Sequence, residues 1–494
     1  MNRNIYSSRL ANVIGGITIK LFQGSSINES IRSNTYLYLI SGHPYHLEKY
    51  VTLFSVKGLI KDILISLQGV CITTYKIFSA LFRLNLLPPK YKSLDNNDVL
   101  IVTHLVNLKH LKNEDDFYFG NLQKYLKEEK IKTLKVYLNQ INERLVESSG
   151  DIVLNNTLSF FQEINLLLTS ISGFLFLLLK SINSKKFHKH FYLRAALYSF
   201  SSATMANLRI NSQLILILKK VAPKIVFTTW EGNAWERHFF YTSHQINPNT
   251  FCIGYQHSIL VPSTFSLFKS YEFKSDPDLI LTSGEINKKI FQSKSTFPNL
   301  TFLIYGTHKF KTYSIKAKEY QSKNILVTPE GIVSECLLLI SFVLESALLC
   351  PEFNFILRFH PAFSLSELKK VSNKFNKFPS NCYFSENDNI VNDYQRCDYI
   401  LYRGSSTAIH AIAFGIKPIY LNNEDDFSID PLYLLNTWKD IVDSPKKLQF
   451  ILYQNLNIFN KSDFLNAINF YKNYIVEENF LELKKIISNK ILLN

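Results

Sequence analysis

The feature that most constrains this chain is a unit of short apolar strand, polar loop and helix that recurs in two separate runs. In the first run Val99–Thr103 (VLIVT), Lys224–Thr229 (KIVFTT), Phe251–Tyr255 and Leu279–Thr282 are brief apolar segments, each giving way to polar residues. In the second run Asn324–Thr328, Phe353–Phe359, Tyr399–Tyr402 and Pro418–Leu421 do the same. Short continuous apolar runs read as strands buried on both faces, a property of parallel sheets covered by helices. Helical patterns stand between them at Tyr118–Glu128, Glu231–Gln245, Ser334–Leu349, Leu365–Phe375 and Thr407–Phe414, the last closed by Gly415. The alternation predicts an α/β chain with two parallel sheets.

Boundaries follow from where this pattern stops. Residues 1–95 read as a helix-rich region ending in the turn signal Leu87-Pro88-Pro89, and 96–306 as the first α/β domain. Residues 307–323 are polar, carry Lys309, Lys311, Lys316, Lys318 and Lys323, and read as a linker; 324–440 form the second domain and 441–494 terminal helices able to cross back. Within the first domain an apolar and basic helical insertion occupies about 160–200. Its Leu166–Leu179 stretch is strongly apolar but broken by Thr169, Ser170, Ser172 and Gly173, and is shorter than the roughly 20 residues a span needs. Basic residues follow, including Lys185, Lys186, His188, Lys189 and His190. The segment reads as a buried helix, as one resting on an anionic inner leaflet or, last of the three, as a true span.

The chain has 494 residues, 46% hydrophobic and 19% charged, with a formal net charge of +15. That composition suits a globular protein with an anionic partner. The cations are spread along the chain with no arginine-rich or zinc-finger pattern, which argues against nucleic acid. Six cysteines without a C-x-x-C pair point to free thiols in a reducing compartment. The amino terminus lacks the apolar core of a secretory signal, so the expectation is a cytoplasmic protein, with peripheral contact at the inner face of the plasma membrane as its variant.

In open parallel sheets ligands gather at the carboxyl ends of strands. In the second domain those ends carry Pro329-Glu330-Gly331, Arg358 with His360-Pro361, and Arg403-Gly404-Ser405-Ser406-Thr407. Gly404 permits close backbone approach, Ser405 or Ser406 is a natural N-cap, and Thr407 begins a helix. Hydroxyls and free N–H groups there make an anion site, with Arg358, Arg403 and His360 as candidate phosphate neighbours. The pair His360-Pro361 is not diagnostic alone, since His43-Pro44 repeats it. In the first domain the candidate bases are Glu231, His257 and Asp116, and Glu236 follows Glu231 as a supporting carboxylate. No metal site is indicated: Asp276-Pro277-Asp278 precedes its strand and reads as a turn, and Asp425-Asp426 lies in a polar loop. No G-x-G-x-x-G follows any strand, which argues against a dinucleotide oxidoreductase.

Pro329-Glu330-Gly331, Arg358-Phe359-His360-Pro361 and Arg403-Gly404-Ser405-Ser406-Thr407, with Ala413-Phe414-Gly415-Ile416-Lys417-Pro418, resemble the donor half of bacterial surface-carbohydrate glycosyltransferases of the GT-B type. The HP and serine-pair motifs are similar to those of GT-B sialyltransferases and capsule Kdo transferases, and this half is also similar to CDP-glycerol glycerophosphotransferases. Asp115-Asp116-Phe117-Tyr118-Phe119-Gly120, Trp230-Glu231-Gly232-Asn233-Ala234-Trp235-Glu236 and Gly254-Tyr255-Gln256-His257-Ser258 look like the acceptor half of the same group. The likeness covers roughly residues 96–425. It implies two Rossmann-like domains facing a cleft and a nucleotide-sugar donor, CMP-linked by preference, with no further cofactor. It implies transfer of a Kdo-like or nonulosonic sugar to a surface polysaccharide or lipid-linked glycan. The sialyltransferase [D/E][D/E]G motif carries the base; Trp230-Glu231-Gly232 matches its last two positions, which favours Glu231. Polyol-phosphate transfer and a non-catalytic polysaccharide-assembly role remain the alternatives.

Overall fold

The computed structural model describes residues 3–23, 28–38, 52–88, 97–111, 115–141, 151–271, 273–308, 322–360, 377–423, 426–454 and 460–493, with 94 and 370. Pro361, His43-Pro44, Pro89, Asp425, the expected helix at Leu365–Phe375 (Lys370 apart) and most of the expected linker lie outside the described residues.

Two fully parallel sheets organise the chain. The first holds β1 (Val99–Leu105), β2 (Thr133–Asn139), β3 (Ile152–Val153), β4 (Ile225–Thr229), β5 (Phe251–Gln256), β6 (Leu279–Thr282) and β7 (Thr301–Ile304). Their order is β3-β2-β1-β4-β5-β6-β7. The second holds β8 (Asn324–Thr328), β9 (Asn354–Leu357), β10 (Cys382–Phe384), β11 (Tyr399–Tyr402), β12 (Lys417–Leu421) and β13 (Asp440–Val442), in the order β10-β9-β8-β11-β12-β13. Both sheets therefore run outward from their first strand and reverse there, the doubly wound order whose reversal point opens a ligand crevice. Two such Rossmann-like units with an added helical amino-terminal region make the GT-B fold.

β1, β4, β6 and β11 are buried along nearly every residue, because helices cover both sheet faces. Side chains of β1 alternate between two cores. Leu100 and Val102 face a cluster with Val226, Trp230 and Phe240, while Val99 and Ile101 face one with Phe119, Phe227 and Leu483.

The cores also show how the ends of the chain attach. Leu483 and Ile487 of the terminal helix Phe480–Leu493 belong to the core of the first sheet, and Lys484 meets Glu129 at 2.7 Å. The preceding helix Lys461–Tyr474 packs Tyr471 and Phe464 on the second sheet's helices. At the other end Ser33 meets His238 at 2.7 Å and Asn207 donates to the Ser33 carbonyl at 3.0 Å, tying the short helix Glu29–Ser33 to the first domain.

Three element starts differ from the sequence expectation. The helix expected from Tyr118 begins at Leu122, because residues 116–120 form a tight turn closed by the Asp116–Gly120 bridge with Gly120 at φ +54°. The helix expected from Glu231 begins at Ala234, because Asn233 and Glu236 form a capping box there. Leu166–Leu179 sits inside the continuous 23-residue helix Phe160–Ile182, since Ser170 and Gly173 face inward and do not interrupt it.

That helix is fixed by a buried ion pair. Arg209, in the helix Ser202–Val221, donates to both Glu163 oxygens at 2.9–3.1 Å and to Thr73 Oγ1 at 2.9 Å. Replacing Glu163 with Ala strands a buried guanidinium, and the expected loss of unfolding free energy is about 3–5 kcal/mol. Urea denaturation checks this; the joint change Glu163→Leu with Arg209→Met, which removes both charges, is expected to cost much less.

Candidate functional site

Both reversal points open onto one cleft. A cavity of about 1010 Å³ is lined by His104, Asn233 and Trp235 from the first domain and by Ile332, Glu335 and Arg403 from the second; the amino-terminal helices form a third wall with Lys61, Gln68 and Lys76. Burial foremost, and then the charge of Arg209, lowers the Lys76 ammonium to about 8.

On the first domain the site grows from the ends of β1, β4 and β5. After β4 the chain turns through Trp230, Glu231 and Gly232, whose φ of +76° favours glycine and whose added Cβ would meet Ser266 Oγ at 2.6 Å. Trp230 is fully buried and donates its indole N–H to the Leu267 carbonyl, which anchors the loop. Glu231 thus stands in the loop ahead of the helix, its carboxylate partly exposed. Its Oε1 lies 3.8 Å from His257 Nε2 and its Oε2 accepts the Asn233 amide at 3.2 Å.

Glu236, fully buried, accepts the backbone N–H groups of Glu231 at 3.0 Å and Asn233 at 2.8 Å. Burial and the neighbouring Glu231 push its carboxyl up to about 8. Its place is behind the site, holding the Glu231 loop, rather than in contact with substrate.

Two groups that sequence reasoning passed over complete the cluster. His104, at the end of β1, meets Thr229 Oγ1 at 3.1 Å and Gln140 at 2.8 Å. Burial lowers its imidazole to about 4, so it is neutral at ordinary pH. Tyr118 lies edge-on to His257 at 4.7 Å between centroids and near His104 at 5.5 Å, and Trp235 is edge-on to His104 at 5.4 Å. His104 marks the carboxyl end of an apolar strand, the signal that could have singled it out.

Asp116 is reassigned. It is buried, and one oxygen accepts Thr103 Oγ1 at 3.0 Å and the N–H groups of Tyr118 and Phe119 at 2.9 Å. Those bonds tie its carboxylate into the turn that presents Tyr118.

On the second domain the three expected loops do come together. A Cβ on Gly331 would meet His360 Nδ1 at 2.8 Å, and one on Gly404 would meet Glu330 Oε1 at 2.7 Å. Glu330 to Gly331, Arg358 to His360 and Arg403 to Thr407 therefore line one small region. Ser405 Oγ meets Thr407 Oγ1 at 2.7 Å and accepts the Thr407 N–H at 3.4 Å, while the Ser406 side chain makes no capping bond. His360 is exposed at the rim, with desolvation lowering its pKa.

The two arginines expected at a phosphate are instead held by the protein's own carboxylates. Arg358 turns to Asp393 at 2.7 Å and to the carbonyls of Asn387 and Asp388. Arg403 is buried between Glu335 and Asp426. Each guanidinium is thus paired within the protein, and the two hold the shapes of their loops.

Among the described residues, three possible metal ligands, His244, Cys252 and Asp278, gather within 4.8 Å of one another. They lie toward the amino ends of β5 and β6, away from the cleft, and Asp278 already accepts the Cys252 N–H at 2.7 Å. Asp276 is paired with Arg237 at 2.8 Å, as a structural turn residue would be.

No protein-family model matches the chain, and no curated protein matches it. Solved structures similar to it include a UDP-GlcNAc 2-epimerase of Methanocaldococcus jannaschii in complex with UDP-GlcNAc and UDP, at 12% identity over 79% of this chain and 99% of that one, TM-score 0.43. The glycosyltransferase SnogD from Streptomyces nogalater is similar at 12% identity over 77% and 95%, TM-score 0.43. The glycotransferase of kitacinnamycin is similar at 8% identity over 82% and 100%, TM-score 0.45.

Glu330 supplies a test of the site's electrostatics. Burial first, and then Glu335, raise its carboxyl from 4.5 to about 7, and its Oε1 has no hydrogen-bond partner among the described residues. The folded state keeps this proton after the unfolded chain has lost it, so Glu330 makes stability fall as pH rises from about 4.5 to about 7, then level off. Glu330→Gln is expected to remove that contribution and to be more stable than the parent above about pH 7, measured by urea denaturation across the window.

Proposed function

We propose that this protein is a nucleotide-sugar-dependent glycosyltransferase. The observation that carries the reading is that residues at both reversal points, His104, Asn233 and Trp235 on one sheet and Ile332, Glu335 and Arg403 on the other, line the same cleft, with Glu231 and His257 beside the first set and Glu330, Gly404 and the serine pair beside the second. One side offers a carboxylate and an imidazole for a hydroxyl; the other offers glycine-lined backbone for a phosphate. A transferase needs that division, because its two substrates meet with opposite demands.

The acceptor hydroxyl loses its proton to Glu231 as its oxygen bonds the anomeric carbon. His257, 3.8 Å away, orients that carboxylate or takes the proton in its place. The bond from the anomeric carbon to the donor phosphate breaks, and the nucleotide leaves with the electron pair. Backbone N–H groups around Gly331 and Gly404–Thr407, with Ser405, Ser406 and His360, stabilise the charge that gathers on the leaving phosphate. Neutral His104 and Tyr118 position the acceptor, and Glu236 holds the loop.

At the finer level the donor is a CMP-linked acidic sugar and the acceptor a surface polysaccharide or lipid-linked glycan, handled on the cytoplasmic side. The support is the run Arg403-Gly404-Ser405-Ser406-Thr407 with Arg358-Phe359-His360, whose likeness to CMP-sugar transferases covers the region where the three loops meet.

A thermal-shift series with CMP, CDP, UDP and GDP tests the donor. Cytidine nucleotides at about a hundred times their Kd are expected to stabilise by about 2.7 kcal/mol, and His360→Ala to weaken that response. A shift with UDP or GDP alone would sink the cytidine assignment. Glu231→Gln is expected to lower kcat by about 10²–10⁴ while leaving the nucleotide shift intact; an unchanged kcat would remove Glu231 as the base.

A further inference from the structure

Two long helices are patterned the wrong way round for a soluble fold. Along Val56–Phe82 the inward residues are Gly58, Asp62, Ser66, Gly69, Thr73 and Ala80, while Ile60, Leu64, Leu67, Tyr75, Phe78 and Phe82 stand exposed, Leu64 at 60% and Leu67 at 57%. Phe160–Ile182 largely repeats the inversion: Glu163, Ser170, Gly173 and Ser181 face in with Leu166 and Leu177, while Phe161, Leu168, Leu175, Leu179 and Ile182 face out, Leu168 at 58% and Leu175 at 51%. With exposed Cys71 and Ile171 counted, the outward residues recur every three or four positions from Ile60 to Phe82 and from Leu168 to Ile182, so each helix carries an apolar stripe. A soluble helix buries such a stripe, and a monomer rarely exposes apolar patches this extensive.

The stripes are neighbours. The helices pack against each other, and they run antiparallel. The Phe160 N–H bonds the Asn85 carbonyl at one end of the pair, and at the other end the Phe54 ring meets Phe187 at 5.2 Å and His190 at 5.9 Å. That second end gathers exposed Lys57, Lys180, Lys185, Lys186 and Lys189.

Both helices are long and apolar enough to cross a bilayer, at 27 and 23 residues. Their inner faces oppose it. Asp62 is ion-paired with Arg194 and Glu163 with Arg209, all four buried against the first domain. A crossing would expose those charges to hydrocarbon. Entry from the side immerses only the stripes and leaves the lysines at headgroup depth.

We propose that the paired helices Val56–Phe82 and Phe160–Ile182 form a docking plate for an anionic bilayer, into which their outer stripes insert sideways. A second copy of the chain would cover the apolar stripes too, but would leave the lysine cluster facing its own charge; an anionic lipid surface satisfies both. The plate's inner side is part of the cleft, through Lys61, Gln68 and Lys76 of the first helix. The acceptor is accordingly an amphiphile held in the same bilayer, a step that rests on the transferase reading.

Co-sedimentation of the full chain with vesicles tests the plate. The protein is expected to pellet with vesicles of phosphatidylglycerol and phosphatidylcholine in equal parts, and to stay in solution with phosphatidylcholine alone. Leu67→Asp with Leu175→Asp is expected to lower binding at least about tenfold, and Lys185→Glu with Lys186→Glu by about tenfold. Both pairs change exposed residues outside the site, so the thermal-shift response to nucleotides is expected to stay as in the parent. Parent protein left in solution with the anionic vesicles, or the aspartate variant pelleting like the parent, would overturn the docking plate. So would a parent dimer, seen by light scattering, that the aspartate variant loses. A parent that pellets but answers no nucleotide would instead sink the transferase reading and leave the plate standing.

Discussion

One buried guanidinium sets the geometry on which the cleft depends. Arg209 reaches from its own helix to Glu163 on a second and Thr73 on a third, while Glu163 also accepts the Leu158 N–H at 3.0 Å. A charge taken out of water tolerates little misplacement, because each unmet bond costs its full desolvation. The pair therefore locks the rotation of Phe160–Ile182 and of Val56–Phe82 about their axes. That rotation turns Lys76 toward the cleft and the leucines outward. Burial foremost, and Arg209 after it, keep the Lys76 ammonium easier to deprotonate than usual, while Glu163 works the other way.

The two sheets share a strand order and differ in what their reversal points present. In the first, the loop after β4 is pinned by Trp230 and Glu236, so a partly exposed carboxylate is held in a fixed place beside His257. In the second, the loops after β8, β9 and β11 are close enough that a Cβ on Gly331 would meet the His360 ring and one on Gly404 the Glu330 carboxylate. Rigid placement suits a group that must accept a proton, and close backbone packing suits contact with a phosphate. The same topology therefore carries two differently built sets of loops, one holding a carboxylate beside an imidazole and the other packing glycine backbone closely.

Much of this was legible in the sequence where the signal is local. Val99–Thr103, Lys224–Thr229, Asn324–Thr328 and Tyr399–Tyr402 read as strands because burial on both faces leaves an unbroken apolar run. The carboxyl ends of those strands pointed to Glu231, Glu330 and Gly404. What was lost depended on partners distant in sequence. Arg358 and Arg403 looked like phosphate ligands because Asp393, Glu335 and Asp426 lie 23 to 68 residues away and no spacing links them. Asp116 looked like a base because a turn that consumes a carboxylate looks, in sequence, like a free one. The Glu231 helix start was misplaced because Asn233 with Glu236 is a stronger cap than a lone glutamate.

The two apolar helices show why hydropathy counts alone left open the face they present. Val56–Phe82 and Phe160–Ile182 carry small and polar residues at helical spacing, and the usual reading puts those positions in water and the leucines in the core. Here Gly69 lies against the backbone of Phe200 and Gly173 against Ser30, so close packing selects the small face for the interior. Small residues let helices approach closely, and buried carboxylates then need the arginines found opposite them. With much of the inner face spent on glycine contacts and ion pairs, most of the large apolar side chains face out, Leu166 and Leu177 excepted. The outward stripe is thus a consequence of how the cleft's third wall is built, which links the surface the chain presents to the pocket it encloses.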